Sequence, residues 1–82
     1  MDANDAVIVV GKQMEKARDK PEPCSRLVVR DGVILIVGYM AHRRSDIEID
    51  HLSQKDLMFG PSTPKWNHIE NRIRDLILEG AL

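Results

Sequence analysis

The dipeptide Asp31-Gly32 constrains the fold of this chain more than any other feature, because it separates two runs of residues that favour β-strands. The runs, 25–30 and 33–37, are rich in valine, leucine and isoleucine. An Asp-Gly pair suits a type I′ turn, in which both central residues need positive φ. The sequence therefore predicts an antiparallel hairpin with a two-residue turn, and the residues that flank the turn pair with each other.

This register divides the hairpin into two surfaces, because successive side chains of a strand point to opposite faces. A third strand is predicted at 46–50, where acidic residues alternate with isoleucine. The predicted core face carries Leu27, Val29, Ile34, Ile36, Ile47 and Ile49. The second face combines apolar and charged residues, namely Arg26, Val28, Arg30, Val33, Leu35, Val37, Tyr39, Asp46, Glu48 and Asp50.

Helices are predicted at both ends of the chain. Residues 4–20 have apolar residues at helical spacing with Asn4 or Asp5 as N-cap, although the β-branched run 6–10 also fits a short strand. Thr63-Pro64 is typical of a helix start and precedes an apolar stripe at helical spacing. The sequence predicts one α+β domain over 1–82, ordered α-β-β-β-α, with a three-stranded antiparallel meander and both helices on one face.

The second sheet face is the predicted functional surface. If both helices cover the core face, the second face is an apolar patch with a charged rim, which is typical of a protein interface. If one helix packs on each face, nothing is exposed. A domain of 82 residues has a marginal core, and its single cysteine, Cys24, excludes an internal disulfide. Self-association as a homodimer is therefore expected.

Three carboxylates, those of Asp46, Glu48 and Asp50, are predicted to form a row on this second face. Like charges on one strand repel one another, so the row favours contact with a basic partner. The row could otherwise bind a hard cation, or serve as a solvated edge that opposes aggregation. A rigid strand points its carboxylates in parallel, whereas a metal needs convergent oxygen ligands, so the protein partner is preferred.

Several basic residues form an alternative candidate surface for nucleic acid. They are Arg43 and Arg44 in the loop before the third strand, and Lys12 and Lys16 on the first helix. The element order resembles that of the double-stranded-RNA-binding domain, which implies contacts to phosphates across a minor groove. The last helix opens with 64–67, Pro-Lys-Trp-Asn, and lacks the basic cluster of that family.

The step Asp50-His51 resembles the Asp-His pair of HNH endonucleases. That resemblance implies a metal nuclease in which His51 activates water and Asp50 holds the metal, with Asn67 or Asn71 as a later ligand. No histidine follows His68, so the closing metal-ligand histidine of the family has no counterpart here.

The formal net charge is −1, so no overall electrostatic field favours binding to nucleic acid or to an anionic membrane. We find no complete catalytic, metal-binding or phosphate-binding motif, and the apolar run near the N-terminus is too short for a signal peptide or a membrane span. The sequence therefore predicts a cytoplasmic, non-enzymatic protein-binding module without a cofactor. It would self-associate and act as a small regulator or inhibitor of a larger protein, as accessory proteins of phages and mobile elements do.

Overall fold

The first helix settles the ambiguity of the N-terminal segment. The computed structural model describes residues 1–20, 22, 25–38 and 43–82. Helix α1 spans Ala3–Ala17 and includes the β-branched run. The N-cap is Asp2 rather than Asn4 or Asp5, and its carboxylate accepts a hydrogen bond of 2.9 Å from the Asp5 N–H. A helix can bury its apolar stripe on one side, and this burial stabilises the segment more than the β-propensity of residues 6–10 favours a strand.

The predicted hairpin forms in the predicted register. Strand β1 spans Ser25–Arg30 and β2 spans Val33–Gly38, and Arg30 pairs with Val33. Asp31 and Gly32 have φ values of 52° and 75°, the two positive values that a type I′ turn requires.

The third strand joins the sheet on an unexpected side. Strand β3 spans Ile47–Leu52 and pairs antiparallel with β1, so the strand order is β2-β1-β3. The antiparallel α+β architecture is confirmed, but the meander order, with β2 in the centre, is wrong. Strands β2 and β3 are both antiparallel to β1 and so parallel to each other, and the eight residues between Gly38 and Ile47 are enough to return along the length of a strand and pass β1. The third strand can therefore reach the free edge of β1.

A β-bulge interrupts the pairing of β1 with β3. Leu27 lies opposite Asp50, whereas the next residue, Val28, lies opposite Glu48. Ile49 is thus the extra residue of β3, and it packs against the core. A bulge shifts the alternation of side chains by one residue. As a result Glu48 and His51 share one face of the sheet.

The C-terminal half contains one helix more than predicted. Helix α2 spans Gln54–Phe59, a 3₁₀ turn follows at Gly60–Ser62, and α3 spans Trp66–Leu78. Thr63 does not cap α3, because its hydroxyl donates to the Gly60 carbonyl at 2.8 Å and so closes the 3₁₀ turn. The predicted helix start, with Thr63 as N-cap and Pro64 as first residue, is therefore two residues too early.

The core lies between the predicted sheet face and the helices. All six predicted core residues of the sheet belong to it or pack against it. The buried residues of this core are Ala6, Val10, Met14, Leu27, Val29, Ile34, Leu52, Leu57, Trp66, Ile69, Ile73 and Leu76. Helix α1 packs against β2 and α3, and α3 also contacts β3. Both long helices therefore cover the same face, as predicted.

Candidate protein-interaction surface

The sheet face that points away from α1 and α3 is the candidate site, and we call it the open face. Strand β1 contributes Arg26, Val28 and Arg30, β2 contributes Val33, Leu35 and Val37, and β3 contributes Glu48 and His51. Within the described residues, the helices pack on the opposite face of the sheet.

The apolar part of the open face lies at one side of it, on the edge strand β2. Val33 is 51% exposed, and Leu35 and Val37 are half-buried. The sequence predicts that Val28 is presented there too, but its side chain is completely buried, so the open face is covered at this point of the central strand β1. Tyr39, the remaining apolar candidate, lies outside the described residues. A partner can thus touch the β2 side chains, but it cannot reach Val28.

A charged cluster covers the β1 and β3 side of the open face. The Glu48 carboxylate lies 2.5 Å from Nε2 of His51 and 3.8 Å from the Arg26 guanidinium. Glu48 and His51 meet because the bulge places them on the same face, three residues apart. The cluster combines a cation and an anion, so it adds almost no net charge to the surface.

A second ion pair, between Arg30 and Asp46, closes the end of the open face near the turn. Arg30 donates to both carboxylate oxygens of Asp46, at 2.7 Å from Nη2 and 3.1 Å from Nε. The Arg43 N–H donates to the same carboxylate at 3.1 Å. The hydrogen bonds from Arg30 lower the pKa of Asp46 to about 2, and Asp46 raises the pKa of Arg30.

The predicted row of three carboxylates does not form. The Asp46 side chain has no exposed surface, so it cannot contact a partner. Asp50 lies opposite Leu27, on the helix-covered side of the bulge, and its carboxylate accepts from the N–H of His51 at 2.8 Å. Only Glu48 remains on the open face. Sequence periodicity could not reveal the position of Asp50, because the extra residue Ile49 shifts the side chains that follow it.

The pairing of Asp46 with Arg30 makes stability depend on acidity. The folded pKa of about 2 lies below the ordinary 3.8, so the stabilisation is complete above pH 4 and is lost as the pH falls through 2. The free energy of unfolding of the wild type, measured by urea denaturation, should therefore fall between pH 4 and pH 2. We expect a smaller fall in Asp46→Asn. The control is Asp31→Asn, which leaves the pair with Arg30 intact and should decline like the wild type. Equal slopes for Asp46→Asn and the wild type would contradict this role.

The residues of the nuclease hypothesis do not assemble into a metal site. Asp50 and His51 point to opposite sides of the sheet, because they are adjacent in a strand after the bulge. Across 1–20, 22, 25–38 and 43–82, no three histidine, cysteine, aspartate or glutamate side chains are grouped so that they could hold a metal ion.

The basic candidates do not combine into one described surface. Arg43 pairs with Asp31 at 3.3 Å and lies 3.7 Å from Asp46, so acidic groups already offset its charge. Arg44 is exposed in the loop before β3, while Lys12 and Lys16 are exposed on α1. Each remains accessible to solvent.

The outer edge of β2 is partly blocked by a side chain of α1. Gln13 donates from Nε2 to the Ile34 carbonyl, and its Oε1 accepts from the Ile36 N–H at 2.8 Å. An amide carries the same donor and acceptor as a peptide group, so Gln13 takes the place of a neighbouring strand. Exposed strand edges invite pairing with other chains, and Gln13 limits this. The sequence offered no periodic signal for this contact.

A polar cluster at the start of α2 was also missed. Ser53 and Asp56 form a capping box, in which the Ser53 N–H donates to the Asp56 carboxylate at 2.8 Å. Lys65 adds an ion pair of 3.1 Å and donates to the His51 carbonyl at 2.5 Å. Burial raises the pKa of Asp56, but the hydrogen bonds from Ser53 and Lys65 outweigh this, so its pKa is lowered. The spacing Ser-x-x-Asp is typical of a capping box, and it could have predicted the start of this helix from the sequence.

Comparisons with protein-family models, curated proteins and solved structures found no match to this chain. None of the helices in the described residues has both the length and the apolar character needed to cross a bilayer.

Proposed function

We propose that this protein is a non-enzymatic binding module whose open face mediates association with a second copy of itself. The observation that supports this most directly is the position of Val33, Leu35 and Val37. They form an aliphatic row on one side of an edge strand, at least partly accessible, while both long helices pack on the opposite face. Burial of such a row would add apolar contacts to a domain whose own core is small.

The charge pattern of the open face favours one arrangement of the two copies. Charged residues of the open face lie on β1 and its neighbour β3, so stacking β1 on β1 of a partner would desolvate the ion pairs of Arg26 and Arg30 in both copies. A twofold axis along β2 would instead stack the aliphatic rows of both copies. The ion pairs that Glu48 and Asp46 form with β1 would then lie at the rim of the interface, outside its apolar centre. The net charge of −1 per chain adds little repulsion.

Pairing of two sheets edge to edge is the competing arrangement, and Gln13 opposes it. Both copies would have to withdraw the Gln13 amide from Ile34 and Ile36 before their β2 strands could pair along their whole length. Stacking of the open faces leaves these hydrogen bonds intact. Association through the face therefore costs less than association through the edge.

The experiment is sedimentation equilibrium of the full chain from about 1 to 100 µM. We expect the wild type to pass from monomer to dimer over this range, and Leu35→Glu to remain a monomer of 9.3 kDa. The charge enters the centre of the aliphatic row, and a desolvated unpaired carboxylate opposes association strongly. Circular dichroism should show that the variant is still folded, because Leu35 points away from the core.

The matched control is Ile8→Glu, which places the same charge on a 56% exposed aliphatic residue of α1. This variant should dimerise like the wild type. A wild type that is monomeric at every concentration, or equal dissociation of both variants, would reject the open face as the interface.

Association with a larger protein, as regulator or inhibitor within the cytoplasm, is the wider role that we propose for the same face. A larger partner would bury the same aliphatic row, so Leu35→Glu should weaken that association as well.

A further inference from the structure

A groove of about 660 Å³ runs between the C-terminal half of α1 and the outer edge of β2. Its apolar lining comes from Ala17 on the helix and from Leu35, Ile36 and Val37 on the strand. The groove extends past Gln13 to the end of the strand at Gly38, where the Glu22 carboxylate lies against one side of the glycine.

Two lysines and two acidic residues also line this groove. Lys16 lies in the last turn of α1 and Lys20 lies just beyond its end, and Asp19 and Glu22 carry the opposite charge. The four charges cancel, so the groove selects neither a cation nor an anion. It suits a ligand with an uncharged centre and aliphatic side chains.

The backbone of β2 presents hydrogen-bonding groups to the groove. Residues that flank a two-residue turn form a hydrogen-bonded pair, so every second residue of β2 directs its N–H and C=O outwards. These are Ile34, Ile36 and Gly38, and the contacts of Gln13 with the first two agree with this. Within the described residues, the Ile36 carbonyl and the Gly38 N–H have no hydrogen-bond partner.

We propose that this groove binds a short extended segment of another protein, which adds to β2 as a fourth strand at Ile36 and Gly38. An extended backbone is the ligand whose donors and acceptors repeat at the two-residue spacing of a strand edge. Alternate aliphatic side chains of the segment would pack against Ala17 and Val37. Gln13 sets the length of the site, because its amide already occupies the Ile36 N–H.

The proposal makes Gln13 a resident competitor of the incoming strand. Removal of its side chain frees the Ile34 carbonyl and the Ile36 N–H, and a bound segment can then make two more main-chain hydrogen bonds. We expect Gln13→Ala to tighten binding of an extended peptide about ten-fold, since each net hydrogen bond contributes about half of a ten-fold change. A gain of affinity cannot result from damage to the fold.

The probe is the capped, uncharged peptide acetyl-Ser-Val-Thr-Val-Thr-Ser-amide, titrated into ¹⁵N-labelled protein up to millimolar concentration. We expect the amide resonances of Ile36 and Gly38 to shift and the peptide to bind more tightly to Gln13→Ala. Lys12→Ala, the neighbouring exposed position on the same helix, should bind the peptide like the wild type.

Two N-methylated versions of the peptide separate strand addition from apolar contact alone. Successive backbone nitrogens of a bound strand point alternately towards β2 and towards water. One peptide carries methyl groups on the first of these two alternating sets and the other peptide on the second. We expect methylation of the nitrogens that face β2 to abolish binding, and methylation of those that face water to leave binding unchanged. Equal effects of both sets, no gain in Gln13→Ala, or no shift of Gly38 at millimolar peptide would each overturn the proposal. The peptide site is the edge of β2, and these measurements do not depend on oligomeric state. Their failure would therefore leave self-association through the open face untouched, and the reverse also holds.

Discussion

Ile34→Glu will unfold the protein, whereas Val33→Glu, one residue earlier in the same strand, will leave it folded. Ile34 is 1% exposed and packs in the core, while Val33 is 51% exposed on the open face. A buried unpaired carboxylate costs several kcal/mol, and a domain of this size has only about 5 kcal/mol of stability. The same charge at Val33 remains in water.

Far-ultraviolet circular dichroism and urea denaturation measure this difference directly. Ile34→Glu should lack a cooperative transition at 25 °C, and Val33→Glu should keep one close to that of the wild type. Ile34→Gln separates charge from shape, because it buries a polar group without a full charge and should destabilise the protein less. Equal unfolding of the two glutamate variants would mean that both faces of β2 are buried, and it would remove the basis for the open face.

The second large effect is expected in the C-terminal helix. Ile73→Ala should lower the free energy of unfolding by about 2–5 kcal/mol, because Ile73 has no exposed surface and its loss leaves a cavity between α3 and the rest of the core. Leu78→Ala on the same helix should change it by less than about 0.5 kcal/mol, since Leu78 is 81% exposed.

Urea denaturation of both variants at neutral pH gives these values from the transition midpoints, provided that the slopes agree with that of the wild type. A loss below about 1 kcal/mol for Ile73→Ala would indicate that the core collapses around the missing atoms. A loss for Leu78→Ala as large as that for Ile73→Ala would show that Leu78 is covered in solution, and a second copy would then be the first explanation to test.

Local signals in the sequence determined the hairpin, its register and the core face. Asp31-Gly32 fixes the turn, and the turn fixes which residues pair, because only one register follows from a two-residue connection. The apolar stripes identify the buried side of α1 and α3 for a similar reason, since helical spacing alone places those residues together. These features depend on neighbours within a few residues along the chain.

Only the tertiary structure decided which strand is central and which groups can meet a partner. Strand β3 could join either edge of the hairpin, and its choice of β1 leaves the doubly apolar strand β2 at the edge, with Val33 exposed. Val28, on the central strand, is completely buried. One extra residue in β3 then removes Asp50 from the open face and brings Glu48 to His51. These outcomes depend on contacts between segments distant in sequence, whose energies no local pattern encodes.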